Sequence, residues 1–151
     1  MTTLQRTTPD DPRFVALCAD LDADLRERYG AAQDAYDQFN GMDDTAAVVI
    51  AVVDGDAVGC GAFKHYSPTQ IEIKRVFVTS AARGRRIGGQ ILSELEKWAI
   101  EEGYGGAVLE TGTEQPESLA LYTRAGFQKI DNYPPYVDMP LSVCLSKSFD
   151  V

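Results

Sequence analysis

The sequence predicts a single domain of the mixed α/β class, with a mostly antiparallel central sheet flanked by helices. Runs of β-branched and other apolar residues, separated by short turns, fill the middle of the chain. Segments with helical periodicity lie on both sides of these runs, and the last third alternates helix with strand. This order lets two of the strands lie parallel through one helical crossover. At 151 residues, with no repeat or long linker, the chain 1–151 is expected to form one domain.

The N-terminal part of the chain predicts one strand and two helices. Thr3–Thr7 is the candidate first strand. The first helix begins at Asp11-Pro12, because an acidic cap followed by proline at the first helical position is a typical start, and Gly30 ends it. Its apolar residues recur at helical spacing and predict one buried face: Phe14, Leu17, Cys18, Leu21 and Leu25. A second, short helix is predicted for Ala31–Asn40.

A three-stranded antiparallel meander follows. Its strands are Ala46–Val53, Ala57–His65 and Ile71–Val78, and the tight turn Asp54-Gly55-Asp56 joins the first two. Gly59 and Gly61, inside the second strand, indicate either a bulge or close packing against a neighbouring element.

The remaining segment alternates helices with strands. A long helix carries Ile87, Ile91, Leu95 and Trp98 along one stripe and ends at Gly103. The strand Ala107–Thr111 comes next, followed by a helix that starts at Pro116 and ends at Gly126. The final strands are predicted for Phe127–Ile130 and Ser142–Ser148.

The charge distribution predicts a site for a small anion. The chain has a net charge of −9, yet five of its 14 basic residues lie in one stretch that contains no acidic residue: Lys74, Arg75, Arg83, Arg85 and Arg86. The nine other basic residues face 23 acidic ones, so nucleic acid would meet repulsion over most of the surface. A local cationic patch on an acidic protein therefore favours a small anionic ligand over a polymer.

Composition also indicates the compartment. The N-terminus lacks a signal-peptide pattern, and the longest apolar run is too short to span a bilayer, so no membrane partner is expected. The three cysteines, Cys18, Cys60 and Cys144, lack metal-type spacing and lie among apolar neighbours. They predict buried, reduced thiols, no metal site and a cytoplasmic protein.

The most informative motif is Arg83-Gly84-Arg85-Arg86-Ile87-Gly88-Gly89, which joins a predicted strand to a predicted helix. Free N–H groups at a helix start, the helix dipole and flexible glycines together form a phosphate-binding turn. The motif resembles the acetyl-CoA pyrophosphate loop of the GNAT family of N-acetyltransferases. In that family the pattern is Arg or Gln, two residues, Gly, one residue, then Gly or Ala. Arg83 and Gly88 match it, whereas Arg86 stands where the family has its middle glycine.

A second block, from Leu119 to Phe127, resembles the family segment in which a helix that carries a tyrosine ends in Gly-Phe. The resemblance implies that Tyr122 protonates the departing thiolate, which is chemically reasonable because a phenol is a proton donor to a thiolate at neutral pH. Alternatively, Tyr122 is a core aromatic on an apolar helical face.

The resemblance implies acetyl-CoA as acetyl donor and two strands that splay apart to admit it. The pantetheine arm would pair with the backbone of Val76, Phe77 and Val78. The pyrophosphate would be held by backbone N–H groups of the loop: Arg83, Gly84, Arg85, Arg86, Ile87, Gly88 and Gly89. Arg85 or Arg86 would reach the adenosine 3′-phosphate. For Arg86 we predict helical φ, with its side chain directed toward the phosphates.

Acetyl transfer to an amine also needs a proton acceptor. Glu72 is the first candidate, because several family members carry a glutamate base in this strand. Strict alternation places it with Lys74 and Val76, opposite Arg75 and Phe77, unless a bulge intervenes. The alternative is a strand-face carboxylate paired with Lys74 or Lys64. The second candidate is Glu110, at the end of a strand.

The expected function is direct transfer of an acetyl group from acetyl-CoA to an amine of a small molecule or peptide. Tyr29 and the loop Tyr133–Tyr136 would wall an acceptor pocket, or else cap the core or form a homodimer contact. His65, alone at a strand end, is more typical of a surface residue. A non-catalytic acetyl-CoA-binding sensor or subunit is the alternative function. A nucleotide-binding protein is disfavoured, because the loop lacks both nucleotide-binding motifs, Gly-Lys-Ser/Thr and Gly-x-Gly-x-x-Gly.

Overall fold

The computed structural model of the protein describes residues 1–37 and 46–149. Its seven strands are β1 (Thr2–Thr7), β2 (Ala47–Val53), β3 (Asp56–His65), β4 (Gln70–Val78), β5 (Gly106–Gly112), β6 (Gln128–Ile130) and β7 (Ser142–Ser148). Its helices are α1 (Pro12–Tyr29), α2 (Asp34–Asp37), α3 (Ile87–Glu101) and α4 (Pro116–Arg124), with 3-10 turns at Gly30–Gln33 and Ser80–Ala82. Of the helix predicted for Ala31–Asn40, the described part is a 3-10 turn followed by α2, and residues 38–40 lie outside the described residues.

All seven strands form one sheet, in the order β1-β2-β3-β4-β5-β7-β6. The predicted meander is present as β2, β3 and β4, and every neighbouring pair is antiparallel except β4 and β5. That parallel pair is connected through α3, as the element order predicts. The mixed, mostly antiparallel α/β architecture is therefore confirmed.

Helices cover both faces of the sheet. On one face, α1 buries Phe14, Leu17 and Leu21 against β2 and β3. The start of α1 is as predicted, because the Asp11 side chain accepts a hydrogen bond from the Arg13 N–H ahead of a proline at the first turn. On the other face lies the larger core, to which α3 contributes five buried residues: Ile87, Ile91, Leu92, Leu95 and Ala99. Among the described residues no helix is both long and apolar enough to cross a membrane.

The close packing predicted for the β3 glycines is present under α3. A Cβ atom on Gly61 would lie 2.7 Å from Ile91 Cγ2, and one on Gly59 would lie 3.0 Å from Ile91 Cδ1. Glycine at these positions lets α3 approach the sheet, because any side chain would displace Ile91.

A β-bulge in β4 changes which side chains reach each face. Cys60 pairs with Phe77 whereas Ala62 pairs with Lys74, so β4 carries one extra residue between them, and Arg75 there has φ 61°. Strict alternation therefore ends at the bulge. Val76 packs with the α3 core, and Phe77 packs with the α1 core.

Candidate active site

The two parallel strands separate after four paired residues. β4 and β5 pair from Gln70↔Gly106 to Ile73↔Leu109. Both strands continue, to Val78 and to Gly112, and within the described residues no pairing joins them beyond that point. The bulge at Arg75 lies close to the point where β4 leaves β5. Its extra residue bends and twists β4 there. The expected splay is therefore present.

A cleft of about 560 Å³ occupies the opening between the separated strands. It brings together all three predicted catalytic side chains, because Glu72, Glu110 and Tyr122 line it from β4, β5 and α4. Lys74 and Arg75 line the same wall as Glu72. This grouping unites residues that lie as much as 50 positions apart in the chain.

Glu110 has the environment of a general base. Burial raises the pKa of its carboxyl to about 7, against a smaller opposing effect of the hydrogen bond that Ser142 Oγ donates to Oε2 at 2.8 Å. The charge of Lys74 also opposes the rise, and the charge of Glu72 adds to it. A carboxyl with this pKa exchanges a proton near neutral pH.

Glu72 is held by two other side chains. The residue is only 6% exposed; the Tyr133 hydroxyl donates to Oε2 at 2.7 Å, and Lys64 Nζ lies 3.7 Å from Oε1. Burial raises the pKa of Tyr133, so this phenol remains a donor. The contact with Lys64 is the ion pair that the sequence left open as the alternative to a role as base. The hydrogen bond from Tyr133 is a second contact of the same carboxylate.

Tyr122 lies both in the core and on the cleft. It is 7% exposed, and its ring meets Phe127 edge-on with the centroids 5.9 Å apart. Burial, together with the nearby charge of Glu110, raises the pKa of its phenol, which keeps the hydroxyl protonated at neutral pH. Among the described residues its hydroxyl makes no hydrogen bond.

The loop before α3 differs from prediction at Arg86. We expected helical φ there, but Arg86 adopts the left-handed conformation, with φ 61° and ψ 21°. It is the residue at which the chain reverses into α3, and the family's glycine at this position adopts such a conformation without steric cost. Within the described part of the chain, α3 has no side-chain cap and no acidic residue in its first turn. Its N–H groups are thus free to bind an anion.

Two loop residues have structural contacts that the motif did not reveal. A Cβ atom on Gly88 would lie 3.0 Å from Leu121 Cδ2, whereas a Cβ atom on Gly89 would meet no atom within 4 Å. Gly88 therefore lets α3 approach α4. Arg83 turns back onto β4, where its Nε donates to the Val78 carbonyl at 3.1 Å, and its guanidinium lies 5.9 Å from the Phe77 ring centre.

The residues of the predicted cationic cluster do not all lie beside the start of α3. Arg85 and Arg86 are exposed beside the start of α3. Arg75 instead points to α1, where its Nη2 donates to the Cys18 carbonyl at 3.1 Å and to Asp22 Oδ1 at 2.8 Å. The cluster therefore supplies fewer free charges to an anion than the sequence suggested.

A second cavity, of about 330 Å³, adjoins the cleft and shares Leu25, Glu110 and Gln115 with it. Tyr29 and Tyr36 form part of its wall. Tyr29 also fixes the end of β5, because its hydroxyl accepts a hydrogen bond from the Glu114 N–H at 3.0 Å, and Gly112 leaves room for that hydroxyl. Sequence reasoning missed Gln33, Tyr36 and Gln115, which carry no motif.

The aromatic loop and His65 have mainly structural positions. Tyr133 and Tyr136 are buried against Val108 and Cys144, so they cap the core, and Tyr136 also reaches the cleft. A homodimer contact through this loop stays a prediction. His65 is exposed away from the cleft, and its Nδ1 lies 2.9 Å from the Tyr104 hydroxyl.

Comparison with known proteins agrees with this geometry. The profile of the family described as "Acetyltransferase (GNAT) family" matches residues 14–127. A protein of Azospirillum brasilense named "IAA acetyltransferase" is 33% identical over 147 residues, which cover 96% of each chain.

Solved structures show the same fold. A Klebsiella pneumoniae protein described as an acyl-CoA N-acyltransferase superposes with a TM-score of 0.83 at 34% identity, covering 98% of this chain and 97% of that one. A GNAT family acetyltransferase from Elizabethkingia anophelis, solved with acetyl-CoA bound, shares the fold with a TM-score of 0.70 at 20% identity over 98% of each chain. The chain therefore belongs to the GNAT acetyltransferase family and is an acyltransferase.

Proposed function

We propose that this protein transfers the acetyl group directly from acetyl-CoA to an amine of a small molecule or peptide, with Glu110 as general base and Tyr122 as general acid. The observation that carries the proposal is their convergence on one cleft between splayed strands. One is a carboxyl whose pKa is about 7, and the other is a buried phenol that keeps its proton. Burial raises both pKa values, which brings the carboxyl near neutral pH and leaves the phenol protonated there.

The donor would lie across the opening between β4 and β5. Beyond Ile73 the described residues pair with β4 only through β3, so the backbone of Val76, Phe77 and Val78 presents an edge to which an extended pantetheine arm would add like a strand. The N-terminal N–H groups of α3 would hold the pyrophosphate, and Arg85 or Arg86 would contact the 3′-phosphate.

Glu110 is the better-placed base of the two carboxylates. Glu72 already accepts a hydrogen bond from Tyr133 and pairs with Lys64. Apart from the bond from Ser142, Glu110 faces the cleft and the second cavity together. A proton taken from an ammonium would therefore go to Glu110, while Glu72 holds the aromatic loop and contributes negative charge to the site. Glu72 remains the rival in any test.

Tyr122 would act on the departing group. Acetyl-CoA supplies an activated acyl carbon and a thiolate leaving group. An ammonium acceptor loses two protons at nitrogen, one to Glu110 before attack and one to solvent as the amide forms, and one proton must reach sulfur. The Tyr122 hydroxyl would donate the proton that reaches sulfur as the carbon–sulfur bond breaks. Its raised pKa keeps the hydroxyl protonated at neutral pH and also makes it a weaker acid toward sulfur, so the transfer has to accompany cleavage of the carbon–sulfur bond.

The acceptor would enter through the second cavity. Glu110 joins this cavity to the cleft, so an amine seated there would reach both the base and the thioester. Among the described residues that line the cavity none is basic, and Tyr29 and Tyr36 offer aromatic faces. These features, with the acidic balance of the chain, favour a cationic amine without an adjacent carboxylate. The cytoplasmic location inferred from composition stays a prediction.

The test is a thiol-release assay with acetyl-CoA and a panel of amines, in which mono- and diamines are compared with amino acids. We expect turnover with amines that lack a carboxylate, and its loss in the Glu110→Gln variant. Acetyl-CoA binding without turnover across the panel would contradict the proposal and favour a non-catalytic sensor or subunit.

A further inference from the structure

Lys74 and Glu110 are the first residues beyond the paired part of β4 and β5. The last paired residues are Ile73 and Leu109, which both pack in the core under α3. Successive side chains of a strand alternate between the faces of the sheet, so Lys74 and Glu110 both point to the other face. Ala62, the β3 partner of Lys74, packs in the α1 core and agrees with this orientation. The two side chains therefore flank the opening from its two sides.

Lys74 shares the cleft with the proposed base and acid. Lys74, Glu110 and Tyr122 all line it. The Lys74 side chain is half-buried, and this burial lowers the pKa of its ammonium, although the charges of Glu72 and Glu110 oppose the effect. The charge of Lys74 acts on Glu110 in return. Lys74 thus brings a primary amine beside the carboxylate that would deprotonate an acceptor.

The other lysines of the chain have different surroundings. Among the described residues that line the cleft, Lys74 is the only lysine. Lys147 is paired with Glu96 at 2.8 Å, and Lys97 and Lys129 are exposed. A donor bound in the cleft would therefore meet one lysine of the protein before any other.

We propose that Lys74 is a self-acetylation site, whose Nζ accepts the acetyl group of bound acetyl-CoA when no acceptor amine occupies the cleft. This inference rests on the proposed function, because it uses the same donor position, the same base and the same acid. An amine that is tethered at the site needs no binding from solution, so its effective concentration there is high.

The reaction at Lys74 follows the steps of amide formation. Its ammonium gives one proton to Glu110, and the neutral Nζ attacks the carbonyl carbon of the thioester. The nitrogen–carbon bond forms, the carbon–sulfur bond breaks, and Tyr122 protonates the departing thiolate. Nitrogen loses a second proton to solvent, so the products are an amide at Lys74 and CoA as the free thiol. Glu110 then releases its proton and Tyr122 regains one, both through solvent.

Acetylation of Lys74 would inhibit the enzyme. It removes the positive charge that acts on Glu110, and it places an acetamide in the opening where the acceptor amine has to reach the thioester. We therefore expect kcat/KM for acetyl transfer to fall about fivefold or more in the acetylated protein. An excess of donor over acceptor would thus lower the activity.

The chemical test incubates the intact chain with acetyl-CoA and no amine, and follows the acetylation of each lysine by mass spectrometry of its peptides. Exposed Lys97 and Lys129 report the uncatalysed reaction with donor from solution. We expect Lys74 to be acetylated at least about tenfold faster than either. Added CoA, which competes for the donor site, should slow Lys74 and leave the two exposed lysines unchanged. Acetylation of Lys74 no faster than that of Lys97 and Lys129 would overturn the proposal.

Two variants test whether Glu110 takes part in the step. Glu110→Gln should slow acetylation of Lys74 about tenfold or more, once calorimetry has established that this variant still binds acetyl-CoA. Lys64→Arg is the matched control, because it keeps a positive charge beside Glu72, and it should acetylate Lys74 at the wild-type rate. Equal acetylation of Lys74 in wild type and in Glu110→Gln would refute the base-assisted step.

The functional test incubates the protein with acetyl-CoA before the amine is added. Wild type should lose activity about fivefold or more, whereas Lys74→Arg should keep its own starting rate. An equal loss in both proteins would refute inhibition through Lys74. Turnover of amines with Lys74 unmodified would overturn self-acetylation and leave the proposed function intact. Acetylated Lys74 with no amine turned over would support self-acetylation and contradict the proposed acceptor, so the two failures are distinguishable.

Discussion

Replacing the Glu110 carboxyl is expected to lower activity and to raise stability. In the unfolded chain its carboxyl ionises near 4.5, and in the folded protein burial raises the pKa to about 7. Between these values the folded state holds a proton that the unfolded state has lost, so stability falls as pH rises, by about 1.4 kcal/mol for each pH unit. Over the interval this amounts to a penalty of about 3 kcal/mol, fully present above the folded pKa.

Glu110→Gln should remove that penalty while keeping an acceptor for Ser142. We expect little difference in the free energy of unfolding at pH 4, and a gain of up to about 3 kcal/mol at pH 8, or several degrees in Tm for a chain of this size. Denaturant unfolding at both pH values measures this difference. Glu114→Gln is the control, because Glu114 is exposed in the adjoining loop and should show no such pH-dependent gain.

The same variant should lose activity. Removal of a general base lowers kcat/KM by about 10²–10⁴-fold, and the wild-type profile should rise with pH through an apparent pKa near 7. The acceptor amine also titrates, so the pH profile of kcat/KM should be measured with two amines of different pKa. The part of the profile whose apparent pKa is the same for both amines belongs to the enzyme. If Glu110→Gln keeps full activity and that part of the profile, while Glu72→Gln loses both, Glu110 is not the base. A loss of stability at pH 8 would refute the electrostatic argument itself.

Three further predictions concern Tyr122 and the loop before α3. Tyr122→Phe should lower kcat with little change in acetyl-CoA affinity, because the hydroxyl acts on the leaving thiolate, and equal turnover in steady-state assays would make Tyr122 structural. Gly88→Asp should weaken acetyl-CoA binding about tenfold or more by calorimetry; Gly88→Ala presses on Leu121 without adding charge, so an equal loss there would assign the effect to helix packing. Arg86→Gly should stabilise the fold by up to about 1 kcal/mol in denaturant unfolding, because glycine adopts the left-handed conformation more readily. A loss of stability would show that the Arg86 side chain makes a contact that outweighs its backbone strain.

The parts of this protein that depend on local chemistry could be predicted from sequence. The spacing of apolar residues identifies the helices and strands, because periods of 3.6 and 2 residues are visible within one continuous segment. The loop before α3 could be identified for the same reason, since its glycines and the uncapped start of the helix lie in one continuous segment. Tyr122 followed by Gly126-Phe127 is likewise a continuous motif.

Tertiary structure decided everything that depends on two distant segments meeting. The bulge at Arg75 reversed the side-chain pattern of Val76 and Phe77, because a single extra residue shifts every following residue to the opposite face. Glu110 and Glu72 look alike in sequence. They differ because Glu110 accepts one hydrogen bond, from Ser142, whereas Tyr133 and Lys64 both hold Glu72.

Arg86 depends on both the local sequence and the tertiary structure. The position of Arg86 in the motif could be predicted from sequence. Its backbone conformation could not, because it depends on how the chain turns between the end of β4 and the start of α3. Helical φ is the intrinsic preference of arginine there, and the tertiary path overrides it because the packing of α3 against β3 is worth more than the strain of one residue. Sequence thus determined which groups the site contains, and the fold determined which of them face one another.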